Sequence, residues 1–336
     1  MQNHVTMRDI ASRLGVSSVT VSKALGDKDG VSEELKQKIK ELAKEMGYRF
    51  NAAAKAMKDG YTSNIGVVIA ERYVAATQSF YLQFYQSLAT TLEEEQYSGI
   101  LHMLSESDEE QLVLPRIYHD RKADGFIVLG QLSKDYLSAF YETGIPLVFL
   151  DFYTDDTELD YVITDNFYGM YEMTNYLIQN GHRELAFVGN IHSTSSIQDR
   201  FLGFYKSLLE HRIALREDYI ISDRDEKGKL IEFALPEPMP TAFVCNCDQV
   251  AYMLIQSLRK RGVEVPKDCS VVGFDNDMYA TLAEPGLTTV EVDRKEMAKA
   301  AVTKIVSKIR TGTPSSGRVL VRGNMISRES VKTIET

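Results

Sequence analysis

Two aspartates and an arginine carry the chemistry most readily read from this chain. Asp151 closes the run Val148-Phe149-Leu150 and Asp275 closes Val271-Val272-Gly273-Phe274, so each carboxylate stands just past an apolar, strand-like segment. Ligands of open α/β sheets sit beyond the carboxyl ends of strands. A carboxylate accepts from two hydroxyls, and a guanidinium donates to ring or hydroxyl oxygens in a fixed fork. Arg200, at the start of a helical stretch after the loop 192–196, supplies that fork. The trio suits a small polyhydroxylated ligand, and Phe80, Tyr81, Phe152, Phe274 and Tyr279 flank it with stacking faces. The plainer account has the charged groups capping or pairing within the fold and the aromatics in the core.

A second set lies near the N-terminus. Ser17, Ser18, Val19, Ser22 and Lys23 fall on the outward face of a short helix, 18–25. Short hydroxyl and methyl side chains with one cation suit a helix lying in a DNA major groove. No reactive cluster accompanies either set. The six histidines are scattered, and no nucleophile elbow, HExxH, GxGxxG or P-loop is present, so the chain is read as no enzyme and as needing no cofactor. Cys245, Cys247 and Cys269 are read as small buried hydrophobes. They are too few for a disulfide framework and lack further ligands at metal spacing.

The elements that position these groups follow from periodicity. Thr6 with Asp9 forms a capping-box variant that opens a helix with Ile10, Ala11 and Leu14 on its apolar face. Gly15 allows a tight turn, and Ser17 caps a second helix burying Val21, Ala24 and Leu25. Ser32-Glu33-Glu34 starts a third, with Leu35, Ile39, Leu42, Ala43 and Met46 at helical spacing. Residues 51–58 are rich in helix formers but too short to hold a helix alone. From Ser63 onward, apolar strands are expected at 65–69, 99–104, 125–129, 147–150, 185–188, 242–245, 270–274 and 287–292. Helices between them are expected at 80–95, 167–180, 200–210, 250–261 and 294–310. Buried strands alternating with helices over this length imply two doubly wound parallel lobes. The fold class is therefore an all-α helix-turn-helix head plus an α/β body.

Composition agrees with that division. The 336 residues carry a net charge of −10, but residues 1–60 hold 11 Lys and Arg against 8 Asp and Glu, a balance of +3. A basic head on an acidic body fits a chain that meets phosphates with one face. No apolar run approaches the roughly 18 residues of a membrane span. The N-terminus shows no secretory signal, so a cytoplasmic protein without a membrane partner is expected.

The string from Val5 to Gly60, with Ala11-x3-Gly15-Val16-Ser17-x2-Thr20-Val21-Ser22 at its centre, resembles the head of the LacI/GalR family of bacterial regulators. The likeness continues through NGHRELAFVGN (180–190), QDRFLGFYKSL (198–208), SVVGFDNDMYATLAEPGLTTV (270–290) and VRGNMISRES (321–330). It implies a helix-turn-helix domain at 1–50 and a hinge helix at 51–61. It also implies a periplasmic-binding-protein-like body at 62–336, with one lobe near 62–160 and 291–322 and the other near 161–290 and 323–336. By the resemblance, Thr6, Ser17, Thr20, Ser22 and Ser32 touch phosphates. Ser18, Val19 and Lys23 read base edges, with Lys23 standing where Arg is frequent. Asn51, Ala54, Lys55 and Met57 belong to a hinge that folds on the operator, Met57 wedging into the minor groove where Leu is usual; Phe50 replaces a common Pro. Ser196, Asn246 and Asp248 join the effector contacts, Cys247 standing where an Asn is often found, and Val292 occupies a position that is polar in some relatives.

The implied function is a repressor of a carbohydrate-utilisation operon. It binds a pseudo-palindromic operator as a homodimer, because the chain stops soon after Ser330 without a leucine-heptad tail. A small sugar between the lobes tunes its affinity. The same architecture sensing a nucleobase, a phosphosugar or a protein co-repressor stays open. The sparseness of Arg and Lys around the named cleft positions points away from a phosphorylated ligand. A free solute-binding protein would lack residues 1–60.

Overall fold

The computed structural model describes residues 5–48, 60–74, 80–156, 158–226, 228–312 and 317–335. Contacts divide the chain into two compact units, Met1–Thr62 and Ser63–Thr336.

The first unit is built from α1 (Met7–Leu14), α2 (Ser18–Leu25) and α3 (Glu33–Glu45). Thr6 and Asp9 complete the capping box, the Thr6 N–H donating to Asp9 Oδ2 at 2.7 Å. Gly15 ends α1 at φ 68°, a left-handed conformation that favours glycine. Ser17 then caps α2 by accepting from the Thr20 N–H at 3.0 Å. Ser32 occupies the cap of α3 but makes no side-chain cap bond; Glu33 and Glu34 fill the first turn instead. Ile10, Ala11, Val21, Ala24, Ile39 and Ala43 form the buried core, with Leu14, Leu25, Leu35, Leu42 and Met46 packed around it.

The second unit runs β1 (Asn64–Ala70), α4 (Phe80–Glu94), β2 (Ser98–Leu104), α5 (Glu106–Glu110), α6 (Arg116–His119) and β3 (Gly125–Leu129). It continues α7 (Lys134–Tyr141), β4 (Leu147–Leu150), β5 (Asp160–Thr164), α8 (Asn166–Gln179), β6 (Leu185–Val188) and α9 (Ser195–Glu210). It closes β7 (Ile220–Ile221), β8 (Ala242–Cys245), α10 (Asp248–Lys260), β9 (Ser270–Val272), α11 (Met278–Leu282), β10 (Thr289–Glu291), α12 (Arg294–Thr311), β11 (Gly317–Val321) and β12 (Asn324–Ile326).

Two parallel sheets result. One has the order β11-β5-β4-β3-β1-β2 and the other β7-β6-β8-β9, while β10 and β12 pair antiparallel. Each sheet is a lobe. The chain passes from the first to the second after β5, returns through α12 to β11, and leaves again to β12. β3, β4, β6 and β8 are buried along their whole length, as strands covered on both faces must be. One core runs between the strands and α4, α8, α9 and α12, and two further cores cover the outer faces of the lobes.

Four strands, β5, β7, β11 and β12, lie outside the ranges expected from the sequence, each for a physical reason. β5 begins with a charge, Asp160, that is fully buried and held by Lys304 and Lys308 of α12 at 2.6 Å each. β7 is two residues long, β12 is three, and β11 alternates in burial as an edge strand. The helix expected from 200 begins five residues earlier, at Ser195, so Arg200 sits within α9 rather than at its start.

Candidate functional site

On the head, α2 turns its buried Val21 and Ala24 inward and presents Val19 and Lys23 to solvent. Val19 is 65% exposed, far more than an apolar residue of a small core needs to be. Ser18, Thr20 and Ser22 are half-buried beside it, and Thr6, Ser17 and Ser32 are exposed. The hydroxyls of Ser17 and Thr20 bond each other at 2.8 Å, so the cap holds both at the N-terminal end of α2, where backbone N–H groups favour anions. Asn51, Ala54, Lys55 and Met57 lie outside the described residues.

In the body, a cavity of about 370 Å³ lies at the carboxyl ends of the strands of both sheets. Phe80, Tyr81, Asp151, Ser196, Arg200, Asn246 and Asp275 line it, together with Phe152 and Tyr279. Asp151 follows β4 of one lobe and Asp275 follows β9 of the other. Their backbones are pinned to neighbouring chain, Asp151 N–H to the Val162 carbonyl and Asp275 N–H to the Val290 carbonyl, both at 2.8 Å. Both also adopt positive φ, 70° and 110°, a strained conformation for residues with a side chain that concentrates at functional sites.

Arg200 spans the space between them. Its Nε donates to Asn166 Oδ1 at 2.8 Å, its Nη1 to the Asn246 carbonyl at 2.6 Å, and its guanidinium lies 3.9 Å from the Phe274 ring centroid. Nη2 is 3.3 Å from Asp275 Oδ1, an ion-pair distance without hydrogen-bond alignment. Tyr81 donates to Asp151 Oδ2 at 2.8 Å. Among the described residues, Asp151 Oδ1 and Asp275 Oδ1 are buried acceptors with no hydrogen-bond partner. Burial raises the Asp151 carboxyl to about 6 against the pull of Arg200 and Tyr81. Burial, with Asp277 and Asp151 nearby, raises Asp275 to about 7 despite Arg200.

Phe274 and Asp248 stand behind the wall rather than in it. Phe274 is fully buried beneath Arg200. Asp248 is fully buried too, accepting from the Thr289 hydroxyl at 2.6 Å and the Asp277 N–H at 3.0 Å. Its carboxylate fills the space a side chain at Gly273 would need. Asn246 lines the cavity but spends its amide on the Val188 carbonyl and Asp223, both at 2.9 Å. Of the thiols, Cys245 and Cys269 are buried, whereas Cys247 lines the cavity, its thiol pushed up to about 12 by burial.

The expectation that cations are sparse here is corrected. Arg72, in the 3-10 turn after β1, and Arg224, after β7, both line the cavity, as do Glu109, Gln131 and Ser133. Arg72 lay in view, since it follows a recognised strand; Arg224 was hidden because β7 is too short to read. The lobes also touch directly, the Ser195 N–H donating to Gln131 Oε1 at 2.9 Å and the Tyr153 hydroxyl to Asp199 at 2.8 Å.

Residues 6–51 match the profile of bacterial regulatory proteins of the lacI family, and residues 174–331 match the periplasmic binding protein-like domain. The chain belongs to the lacI family. Among the relatives of this LacI-family chain, the probable HTH-type transcriptional repressor ExuR of Bacillus subtilis is 28% identical over 99% of this chain and all of the relative. The HTH-type transcriptional regulator RegA of Clostridium saccharobutylicum is 28% identical over 97% of this chain and 98% of its own. In fold, the chain is similar to the lac repressor dimer bound to operator and the anti-inducer ONPF (TM-score 0.79, 22% identity, covering 98% of this chain and 100% of that one). It is also similar to the transcriptional regulator CelR in its cellobiose complex (TM-score 0.70, 23% identity, 97% and 100%). The LacI-family chain is a DNA-binding transcriptional regulator, and its relatives are regulators rather than enzymes. Among the described residues, no helix is long and apolar enough to cross a membrane.

Proposed function

We propose that the chain represses a carbohydrate-utilisation operon from a pseudo-palindromic operator, as a cytoplasmic homodimer, and that a small sugar bound between the lobes sets its operator affinity. Residues 1–50 act as the reading domain, 51–61 as the connecting hinge and 62–336 as the sensor. In the head, Ser18, Val19 and Lys23 meet base edges, while Thr6, Ser17, Thr20, Ser22 and Ser32 meet phosphates.

The observation that carries the sensor reading is a pair of buried oxygens, Asp151 Oδ1 and Asp275 Oδ1, on opposite lobes of one cavity and without a hydrogen-bond partner among the described residues. A buried acceptor without a donor is costly, and hydroxyl groups of a ligand relieve both at once. Arg200 supplies donors between them, and Phe80, Tyr81 and Phe152 supply apolar faces for the ring carbons. A ligand bonded to both aspartates ties the sheets together, and it shifts operator affinity only through its preference for one lobe arrangement. CelR was solved with cellobiose and another LacI-family regulator, from Enterococcus faecium, with ribose, which supports a sugar here.

A thermal-shift screen of the purified chain with neutral mono- and disaccharides tests this. A ligand at about 100 times its Kd stabilises the folded state by about 2.7 kcal/mol, an upward shift of a few degrees. A panel that leaves the melt unmoved contradicts a neutral-sugar effector.

A further inference from the structure

Two guanidiniums outside the Asp151–Arg200–Asp275 group face the same cavity, one from each lobe. Arg72 leaves the six-stranded lobe after β1 and pairs with Glu109 through both terminal nitrogens, Nη2 also donating to the Gln131 carbonyl at 2.9 Å. Arg224 leaves the four-stranded lobe on a small hairpin, closed by a bridge between Arg224 and Leu230 and by the Ile231 N–H on the Asp223 carbonyl at 2.9 Å.

Arg224 is fixed by Asp223, which is fully buried and accepts from Arg224 Nε and Nη2 at 2.9 and 2.7 Å. Asp223 also takes the Asn190 N–H and the Asn246 amide, so its lone pairs are engaged. Among the described residues, Arg224 Nη1 makes no hydrogen bond. In both pairs the carboxylate is the more buried member: Glu109 and Asp223 side chains are 7% and 0% exposed, against 37% and 16% for Arg72 and Arg224. Arg224 is thus the member of its pair that lines the cavity, with Asp223 buried behind it, whereas Glu109 lines the wall beside Arg72. Tyr73 joins them, with Arg72 5.0 Å from its ring centroid and the charge of Arg224 acting on its hydroxyl. The other acids of the wall belong elsewhere: Asp151 and Asp275 stand with Arg200, Asp277 accepts from the Tyr279 N–H, and Glu226 is exposed on the hairpin.

We infer that Arg72 and Arg224 form an anion subsite, so that the effector is a sugar carrying an acid group, carboxylate or phosphate, with its hydroxyls on Asp151 and Asp275. This rests on the sugar reading of the cavity. A charged guanidinium donor bonds an oxyanion more strongly than a neutral hydroxyl, and Arg224 Nη1 is the donor that Asp223 leaves for it among the described residues. An acid group drawn between the two arginines also joins the lobes at a second point, apart from the aspartates.

Calorimetric titration of the full chain with matched probes tests it: D-galactose against D-galacturonate, and D-glucose against D-glucuronate and D-glucose 6-phosphate. At least one acid binds at least about tenfold more tightly than its neutral partner, and whether it is a uronate or the phosphate tells which acid group the subsite takes. In Arg224→Gln the advantage of that acid over its partner collapses toward unity. Arg224→Lys keeps a charge on Asp223 and retains part of the advantage, which guards against a variant that does not fold. Neutral sugars binding as tightly as their acids overturn the anion subsite and leave the sugar reading standing. No binding by any probe overturns both.

Discussion

Arg200 and Asp275 stand 3.3 Å apart in a buried ion pair that leaves Asp275 Oδ1 without a hydrogen bond among the described residues. The guanidinium is committed elsewhere, to Asn166, the Asn246 carbonyl and the Phe274 ring, so it approaches Asp275 without turning a donor onto it. A pair built only for stability would close that gap. Here the misalignment leaves a buried acceptor on a residue of the cavity wall, and Asp151 on the opposite lobe carries another.

Replacing Asp275 with Asn tests the raised carboxyl. A buried acid whose folded pKa lies near 7, above its ordinary value of 3.8, binds its proton more readily folded than unfolded. Stability then falls as pH rises from about 4 through about 7 and levels above that. Asp275→Asn removes this penalty, so the variant gains melting temperature over the wild type at pH 8 and the gain shrinks toward pH 5. A difference that does not change with pH contradicts the assignment.

A sugar bound at both Asp151 and Asp275, as proposed, would bind in a pH-dependent way. Hydroxyls donate to the ionised carboxylates, so the affinity of a bound neutral sugar rises as pH climbs through about 6 for Asp151 and about 7 for Asp275. Titrations between pH 5.5 and 8 show a rise if both are acceptors, and a flat profile if the ligand sits elsewhere.

The clamp beneath β5 is a separate test of the fold. Asp160 is fully buried between Lys304 and Lys308, and removing it strands two ammonium groups against the core. Asp160→Ala costs about 3–5 kcal/mol in urea unfolding. A loss under about 1 kcal/mol would mean that the lysines reach water freely.

On the head, Lys23→Ala weakens binding to a selected operator by about 1–3 kcal/mol if it reads a base, with the loss concentrated at one position. A loss spread evenly over all sequences assigns Lys23 to the phosphate backbone instead. The folding of α2 is not at stake, because Lys23 is exposed.

The head was legible almost residue by residue, since its caps and buried stripe are local: Thr6 with Asp9, Gly15 and Ser17 each act within one turn. In the body, strands buried on both faces announced themselves as apolar runs, and strand ends located Asp151 and Asp275. Non-local compensation was hidden. Asp160 reads as a surface charge until Lys304 and Lys308 arrive from α12, and Asp248 reads as a ligand contact until Thr289 and the Asp277 N–H enclose it. Arg224 depends on a two-residue strand and on Asp223 for its aim, neither of which a periodicity shows.

Control of operator binding by the cavity around Arg200, as proposed, couples the ligand and operator sites. Its most direct test is fluorescence anisotropy on an operator selected from random duplexes, with and without a ligand that raises the melting temperature. The wild type changes its operator Kd by about tenfold or more on adding ligand, in line with couplings of about 1–3 kcal/mol. In Arg200→Ala the ratio of the two constants falls to near one. A ratio that survives the substitution contradicts the account and places the effector outside this cavity.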